Sequence, residues 1–151
     1  MIRVRNTRRF RALVAADTAL TEAMMHEAVL ASVLELGQNI VAGGVAAPGT
    51  PVDTGRARGA WMLTENAPSE TAPVNGEDKA GGGVIMRAQS TLARWQLGTK
   101  LFWANNVVYI VALEFGHSKV QAPFGMVRLA CKGWPGYITK AIAAVKAYHA
   151  R

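Results

Sequence analysis

The sequence predicts an α+β domain, in which a long N-terminal helix and a C-terminal helix pack a small antiparallel or mixed sheet and one long flexible loop stands apart. Three observations predict it. Apolar residues recur at helical spacing near both ends of the chain. Short β-branched and aromatic runs lie between them, set off by glycine and proline. One stretch, 65–83, combines Pro68, Pro73, Asn75-Gly76 and Gly81–Gly83 without an aromatic residue, and reads as a protruding loop. The 151 residues are enough for one core, and at 50% hydrophobic and 18% charged the chain is globular rather than disordered.

Residues 1–16 read as a basic arm with no clear period, ahead of a single domain over 17–151. Asp17 or Thr18 can cap a helix running to Val41, and Glu22 suits its positive end. Met25, Val29, Val33, Leu36 and Ile40 form its buried stripe, widened by Leu30 and Leu34. Gly37 weakens it by roughly 1 kcal/mol relative to Ala, and Gly43-Gly44 ends it. After a loop over 45–52 comes a corner, Pro51-Val-Asp-Thr-Gly-Arg-Ala-Arg-Gly-Ala-Trp61. Pro51 restrains its entry, Asp53 or Thr54 caps a helical turn, and Gly55 frees the backbone. Arg56 and Arg58 face outward, toward Glu114 or an acid on another copy, and Trp61 enters the core.

Residues 60–64 read as a strand and 86–97 as a helix ending at Gly98, with Ala88, Leu92 and Trp95 on one face. Residues 100–105 read as a second strand. Residues 107–115 fit either a strand or a helical turn closed by Gly116. A strand over 126–131 and a turn over 133–136 follow. The last helix starts at Pro135 or Gly136 and reaches His149, burying Ile138, Ile142 and Val145 and exposing Lys140 and Lys146.

Charge is segregated. Residues 1–16 carry Arg3, Arg5, Arg8, Arg9 and Arg11 and no acid, whereas 17–50 carry Asp17, Glu22, Glu27 and Glu35 and no base. Residues 81–151 hold nine bases against Glu114 alone. Such asymmetry suits head-to-tail stacking of copies, or contact with an acidic partner or DNA. The five arginines are candidates for such a contact; without a nucleic-acid motif, DNA binding through them would be non-specific. A basic DNA-binding protein is therefore the competing reading to an assembly protein.

Catalytic chemistry finds no support. His26-Glu27 opens like a zinc-protease helix, but the second histidine is missing, and His26, His117 and His149 have no ligand spacing. Gly81–Gly83 lacks the Lys-Ser/Thr of a phosphate loop. Cys131, the single cysteine, reads as a small residue on a strand. No catalytic, cofactor or metal residue is expected. The apolar run 12–16 is too short for a signal peptide and 101–113 too short for a membrane span, so a soluble protein of the cytoplasm is expected, with no membrane partner.

Three separated segments resemble one family. Thr50-Pro-Val-Asp-Thr-Gly-Arg-Ala-Arg-Gly-Ala-Trp61 is similar to the "PVDTGRLR.SW" segment of tailed-phage head–tail joining proteins, the neck or tail-completion group that includes the lambda-type minor tail protein Z. The family's Asn-rich strand end, tyrosine and Glu-Tyr/Phe-Gly are matched by Asn105-Asn106-Val-Val-Tyr109 and Leu113-Glu114-Phe115-Gly116. Its Gln-Ala-Pro-x-Gly-Met-Val-Arg segment is matched by Gln121-Ala-Pro123-Phe-Gly-Met-Val-Arg128. Ala57 stands where the family often has Leu, and Ile110 where Ala is usual. The resemblance spans about residues 18–149 and leaves out the basic arm. It implies a non-enzymatic virion protein, assembled in the host cytoplasm, that forms a six-fold ring in the neck. Tail-tube or tail-terminator proteins would lie on one side and head-completion or portal proteins on the other, with genome DNA passing through the lumen. A tail terminator is the related alternative. The residues so implicated are Asp53, Thr54, Gly55, Arg56, Arg58, Trp61, Tyr109, Glu114, Gly116, Gln121, Pro123 and Arg128.

Overall fold

The computed structural model describes residues 7–71, 77–117 and 121–150, with 7–20 described by backbone alone. Along the chain come α1 (Thr7–Val41), α2 (Arg56–Gly59), β1 (Met62–Glu65), α3 (Gly82–Leu92), β2 (Leu101–Ala104), α4 (Ile110–Glu114), α5 (Val127–Lys132) and α6 (Trp134–His149). The predicted α+β class holds: β1 and β2 form a two-stranded antiparallel sheet, with Met62 opposite Ala104 and Glu65 opposite Leu101. No helix among the described residues is long and apolar enough to cross a membrane.

The spine is α1. It begins at Thr7, well before the predicted cap at Asp17 or Thr18, so the basic segment is helical from Thr7 on. Alanine, leucine and arginine are strong helix formers, and no glycine or proline interrupts residues 7–36, so nothing local stops the helix from starting early. Its C-terminal half packs on three sides. Val33 meets Leu63, Ala88 and Leu92. Ile40 and Val41 meet Ala47, Trp61, Val84, Met126 and Ala130. Ala28 meets Ala141 and Val145 of α6. Lys140 Nζ lies 2.8 Å from Glu35 Oε1 and His149 Nε2 lies 2.9 Å from Glu27 Oε2, so α6 runs antiparallel to α1. Two of the acids expected to meet another copy are therefore partnered within the chain.

Gly37 has a use that its helix propensity hides. A Cβ there would stand 2.6 Å from Cη2 of Trp103, whose indole packs across the helix and donates to the Val33 carbonyl at 3.3 Å. The glycine is the slot that lets β2 approach α1.

Four predicted elements differ. Residues 126–131 form a helix, α5, not a strand, because a carboxylate from outside the segment caps its first turn, as described below. The helix predicted over 86–97 starts at Gly82 and stops at Leu92; its buried face does include Ala88 and Leu92, joined by Val84. The turn predicted over 133–136 reduces to Gly133, with α6 starting at Trp134. The buried face of α6 is Tyr137, Ala141 and Val145, one turn apart each, whereas Ile142 is exposed. The described parts of the 65–83 loop are tied back at both ends. Asn66 N–H donates to the Lys100 carbonyl and Asn106 to that of Ser69, while Asp78 N–H donates to the Gly55 carbonyl. Residues 72–76 lie outside the described residues.

Candidate assembly interface

The corner at 50–61 is built around a buried threonine. Trp61 Nε1 donates to Thr50 Oγ1 at 2.8 Å, and that hydroxyl donates to the Ile40 carbonyl at 2.8 Å, one of the last acceptors of α1 left open by the helix end. Thr50 and Trp61 are both buried, so the relay satisfies three polar groups without water. Gly55 sits at φ 93°, a left-handed conformation that glycine adopts without steric cost, and starts α2. Thr54 Oγ1 accepts from Arg56 N–H at 3.3 Å, so the turn is made by Thr54. Asp53 is exposed and makes no cap bond to α2.

The two arginines divide. Arg56 is exposed. Arg58 turns inward: its Nη2 and Nε donate to the Thr50 carbonyl at 2.8 and 3.2 Å, and its Nη1 to the Lys79 carbonyl at 2.7 Å. Burial lowers the Arg58 pKa, and the nearby Asp78 charge opposes that. The expected partner Glu114 is engaged elsewhere. Asp78 itself accepts backbone N–H groups of Gly81, Gly83 and Val84 at 2.7, 2.8 and 3.3 Å and thereby caps α3. Burial pushes its carboxyl up, but these backbone donors outweigh burial and hold it below the ordinary range.

Glu114 does for α5 what Asp78 does for α3. At the end of α4, it accepts N–H from Met126, Val127 and Arg128 at 2.9, 2.8 and 3.0 Å, and the Arg128 Nε at 2.9 Å. Burial raises its pKa, and the four donors more than reverse that, leaving it lowered. The anion also sits at the positive end of the short helix. Gly125, at φ 85°, lets the chain pass directly beside the Glu114 carbonyl, where a Cβ would collide. Gly116 closes α4 at φ 89° against the Pro123 carbonyl. Pro123 is exposed.

The three family-like segments are bonded into one body. Gln121 clamps Val52, accepting its N–H at 2.6 Å and donating to its carbonyl at 3.1 Å, as a strand neighbour would. Asn105 Nδ2 donates to the Ala57 carbonyl at 2.7 Å. Glu114 ties the second segment to the third. These are tertiary joints, invisible to spacing rules that look three or four residues along the chain.

Around α4, where residues 123–125 run beside 114–116, stands an apolar patch. Val108, Val111, Phe115 and Phe124 are exposed by 97, 63, 66 and 76%, and Tyr109 at the head of α4 is also exposed. The Arg128 guanidinium covers part of the Phe115 ring, 4.8 Å from its centroid. The sequence reading assigned no surface role to Val108, Val111, Phe115 or Phe124. The available signal was Val107-Val108 following two asparagines, with an apolar run too rich for one buried face. The bonding roles of Thr50, Asp78 and Asn105 had no sequence signal: Asp78 lies three residues ahead of the N-cap Gly81, outside the position where a capping aspartate is expected.

Arg3 and Arg5 lie outside the described residues, and Arg8, Arg9 and Arg11 lie in α1 where only backbone is described. Among the described residues, no three His, Cys, Asp or Glu side chains gather as metal ligands. His26 stacks on Trp95 with centroids 5.3 Å apart, its Nε2 2.9 Å from the Trp95 carbonyl. Comparison of the chain with protein families, curated proteins and solved structures finds no match.

Proposed function

We propose that the chain is a structural subunit of a phage neck, a tail-completion protein that assembles as a ring and joins tail to head. One observation carries the reading. Three segments that resemble the joining family in order, 50–61, 105–118 and 121–128, are far apart in the chain and yet bonded together through Gln121–Val52, Asn105–Ala57 and Glu114–Arg128. Their polar atoms serve to hold shape rather than to transform a substrate. What that shape presents is the patch of Val108, Val111, Phe115 and Phe124, and exposed apolar side chains clustered on a rigid support suit protein association. In this role the subunit contacts its own copies, tail-tube or terminator proteins on one side and head-completion or portal proteins on the other.

The test is genetic and visual. A phage carrying a nonsense codon in this gene is grown in a non-suppressing host, and the lysate is examined by electron microscopy. Full heads and finished tails should accumulate unjoined, and addition of the purified chain should restore infectious particles. Intact virions without the protein would overturn the proposal.

A further inference from the structure

A sheet of two strands has two outer edges, and here one is met by a helix and the other is open. The pairing decides which groups face outward. Asn66 N–H donates to the Lys100 carbonyl at 2.9 Å, and the register that sets Glu65 opposite Leu101 places these two residues opposite each other as well. Opposed residues in an antiparallel pair alternate between bonded and unbonded. Thr64–Phe102 and Met62–Ala104 are therefore the bonded pairs. The main-chain N–H and C=O of Leu63, Glu65, Leu101 and Trp103 point away from the partner strand.

On the β1 side, α3 meets this row. The Thr91 hydroxyl reaches the Leu63 carbonyl at 3.3 Å, and Arg87 Nη2 donates to the Gly59 carbonyl, just ahead of the strand, at 2.7 Å. The β2 side has no such cover. Among the described residues nothing bonds the outward N–H and C=O of Leu101 or Trp103, and no helix runs along that side of β2. Unpaired main-chain donors and acceptors repeating every second residue are a template for another extended strand.

Their placement selects the strand. Leu101 and Trp103 flank Phe102 symmetrically. The same segment of a second copy, turned by half a rotation, therefore sets Leu101 opposite Trp103 and Trp103 opposite Leu101, and each such pair exchanges two bonds. Leu101 and Trp103 pack toward Val33 and Leu63, so by alternation Phe102 lies on the other face of the sheet, where it is half-buried. In this register Phe102 meets its counterpart at the closer, unbonded position of the ladder, where an aromatic pair adds stabilisation. Lys100 falls opposite Ala104, so no like charges face each other.

We infer that the open edge of β2 pairs with the β2 edge of a second copy, antiparallel and about a two-fold axis at Phe102, to give a four-stranded sheet. The outer strands of that sheet are the two β1 strands met by α3, so the pairing stops at two copies. It is a property of the free chain and does not depend on the neck reading.

The experiment uses the full-length chain in sedimentation velocity over a concentration series reaching roughly 1 mM, the weak end of specific association. The wild type should pass from monomer to dimer. Phe102→Lys and Phe102→Glu should each dimerise about tenfold or more weakly, because the aromatic pair is lost and like charges stand directly opposite. Mixed one to one, the two variants should regain a dimer, since opposite charges then meet. Hydrogen exchange on the wild type gives a second reading, which also decides the matter should the variants fail to fold. The Leu101 and Trp103 amides should be protected only at dimer concentrations, and the Phe102 amide at all concentrations. A wild type that stays monomeric throughout, variants that dimerise as well as wild type, a mixture no tighter than its components, or Leu101 and Trp103 amides whose exchange ignores concentration would each overturn the inference. None of these outcomes bears on the virion experiment.

Discussion

Replacing Glu114 with alanine should be among the most damaging single changes outside the hydrophobic clusters. The loss can be worked from its donors. Met126 is fully buried, so its N–H, released from the carboxylate, finds no water, and the part-buried N–H of Val127 fares little better. An unsatisfied buried donor costs about 1–3 kcal/mol, and loss of an anion at a helix start adds about 0.3–1 kcal/mol. The N–H and guanidinium of Arg128 reach solvent and contribute little. Freed side-chain entropy returns about 1.5 kcal/mol. The net is a destabilisation of about 3 kcal/mol, which for a domain of this size lowers Tm by about 6–12 °C. Calorimetric or circular-dichroism melting at neutral pH measures it, and a pH series checks the cause. The Glu114 carboxyl is held below its ordinary 4.5 in the folded chain. Its stabilisation is therefore fully present above that pH and is lost as pH falls below it, because the unfolded chain takes up the proton more readily. The gap between wild type and Glu114→Ala should shrink as the solution is acidified through that range. A Tm change under about 2 °C at neutral pH, or a gap that is unchanged well below the carboxylate range, would refute the capping argument.

Further outcomes follow from single residues. Arg58→Ala should cost about 1–2 kcal/mol in urea denaturation, since two part-buried bonds to the Thr50 carbonyl and an exposed one to the Lys79 carbonyl are lost, whereas Arg56→Ala should fall within about 0.5 kcal/mol of wild type; equal effects would contradict the division of the two arginines. Gly37→Ala should destabilise by about 1–3 kcal/mol despite the better helix propensity of alanine, because the new methyl overlaps the Trp103 ring; a stabilised variant would show that β2 can retreat. The Tyr137 hydroxyl is buried with no partner among the described residues, so Tyr137→Phe should be neutral or stabilising by up to about 1 kcal/mol in the same assay, and a clear loss would reveal a partner. Burial and the Glu114 charge push the Cys131 thiol above its ordinary value, so it should react with Ellman's reagent more slowly at neutral pH than a free cysteine thiol; an unusually fast reaction would count against this.

The elements that could be read from the sequence are those whose cause is local. The stop of α1 at Gly43-Gly44, the two short strands and the span of α6 follow from neighbouring residues. The misreadings have non-local causes. The segment 126–131 has the composition of a strand, and only Glu114, twelve residues before Met126, supplies the cap that makes it helical. Three glycines at 81–83 look like a loop until Asp78 binds the N–H groups of Gly81 and Gly83. Segregated charge suggested contacts between copies, yet Glu27 and Glu35 find His149 and Lys140 once α6 folds back along α1. The candidate site was legible in part: the three segments could be picked out by resemblance, but not the atoms that join them. The apolar patch escaped because periodicity marks which side chains could be buried, and says nothing of which are left outside.

The Glu114 joint also has a mechanical meaning. A pull on Phe115 passes through the adjoining Glu114 carboxylate into the first turn of α5, and from Met126 and Ala130 to Ile40 and Val41 of the spine. Gln121 anchors the segment that leads into α5 to Val52. The surface is thus braced in two directions by short polar ties. A tug there is carried by the 35-residue helix α1 instead of being absorbed by a slack connection.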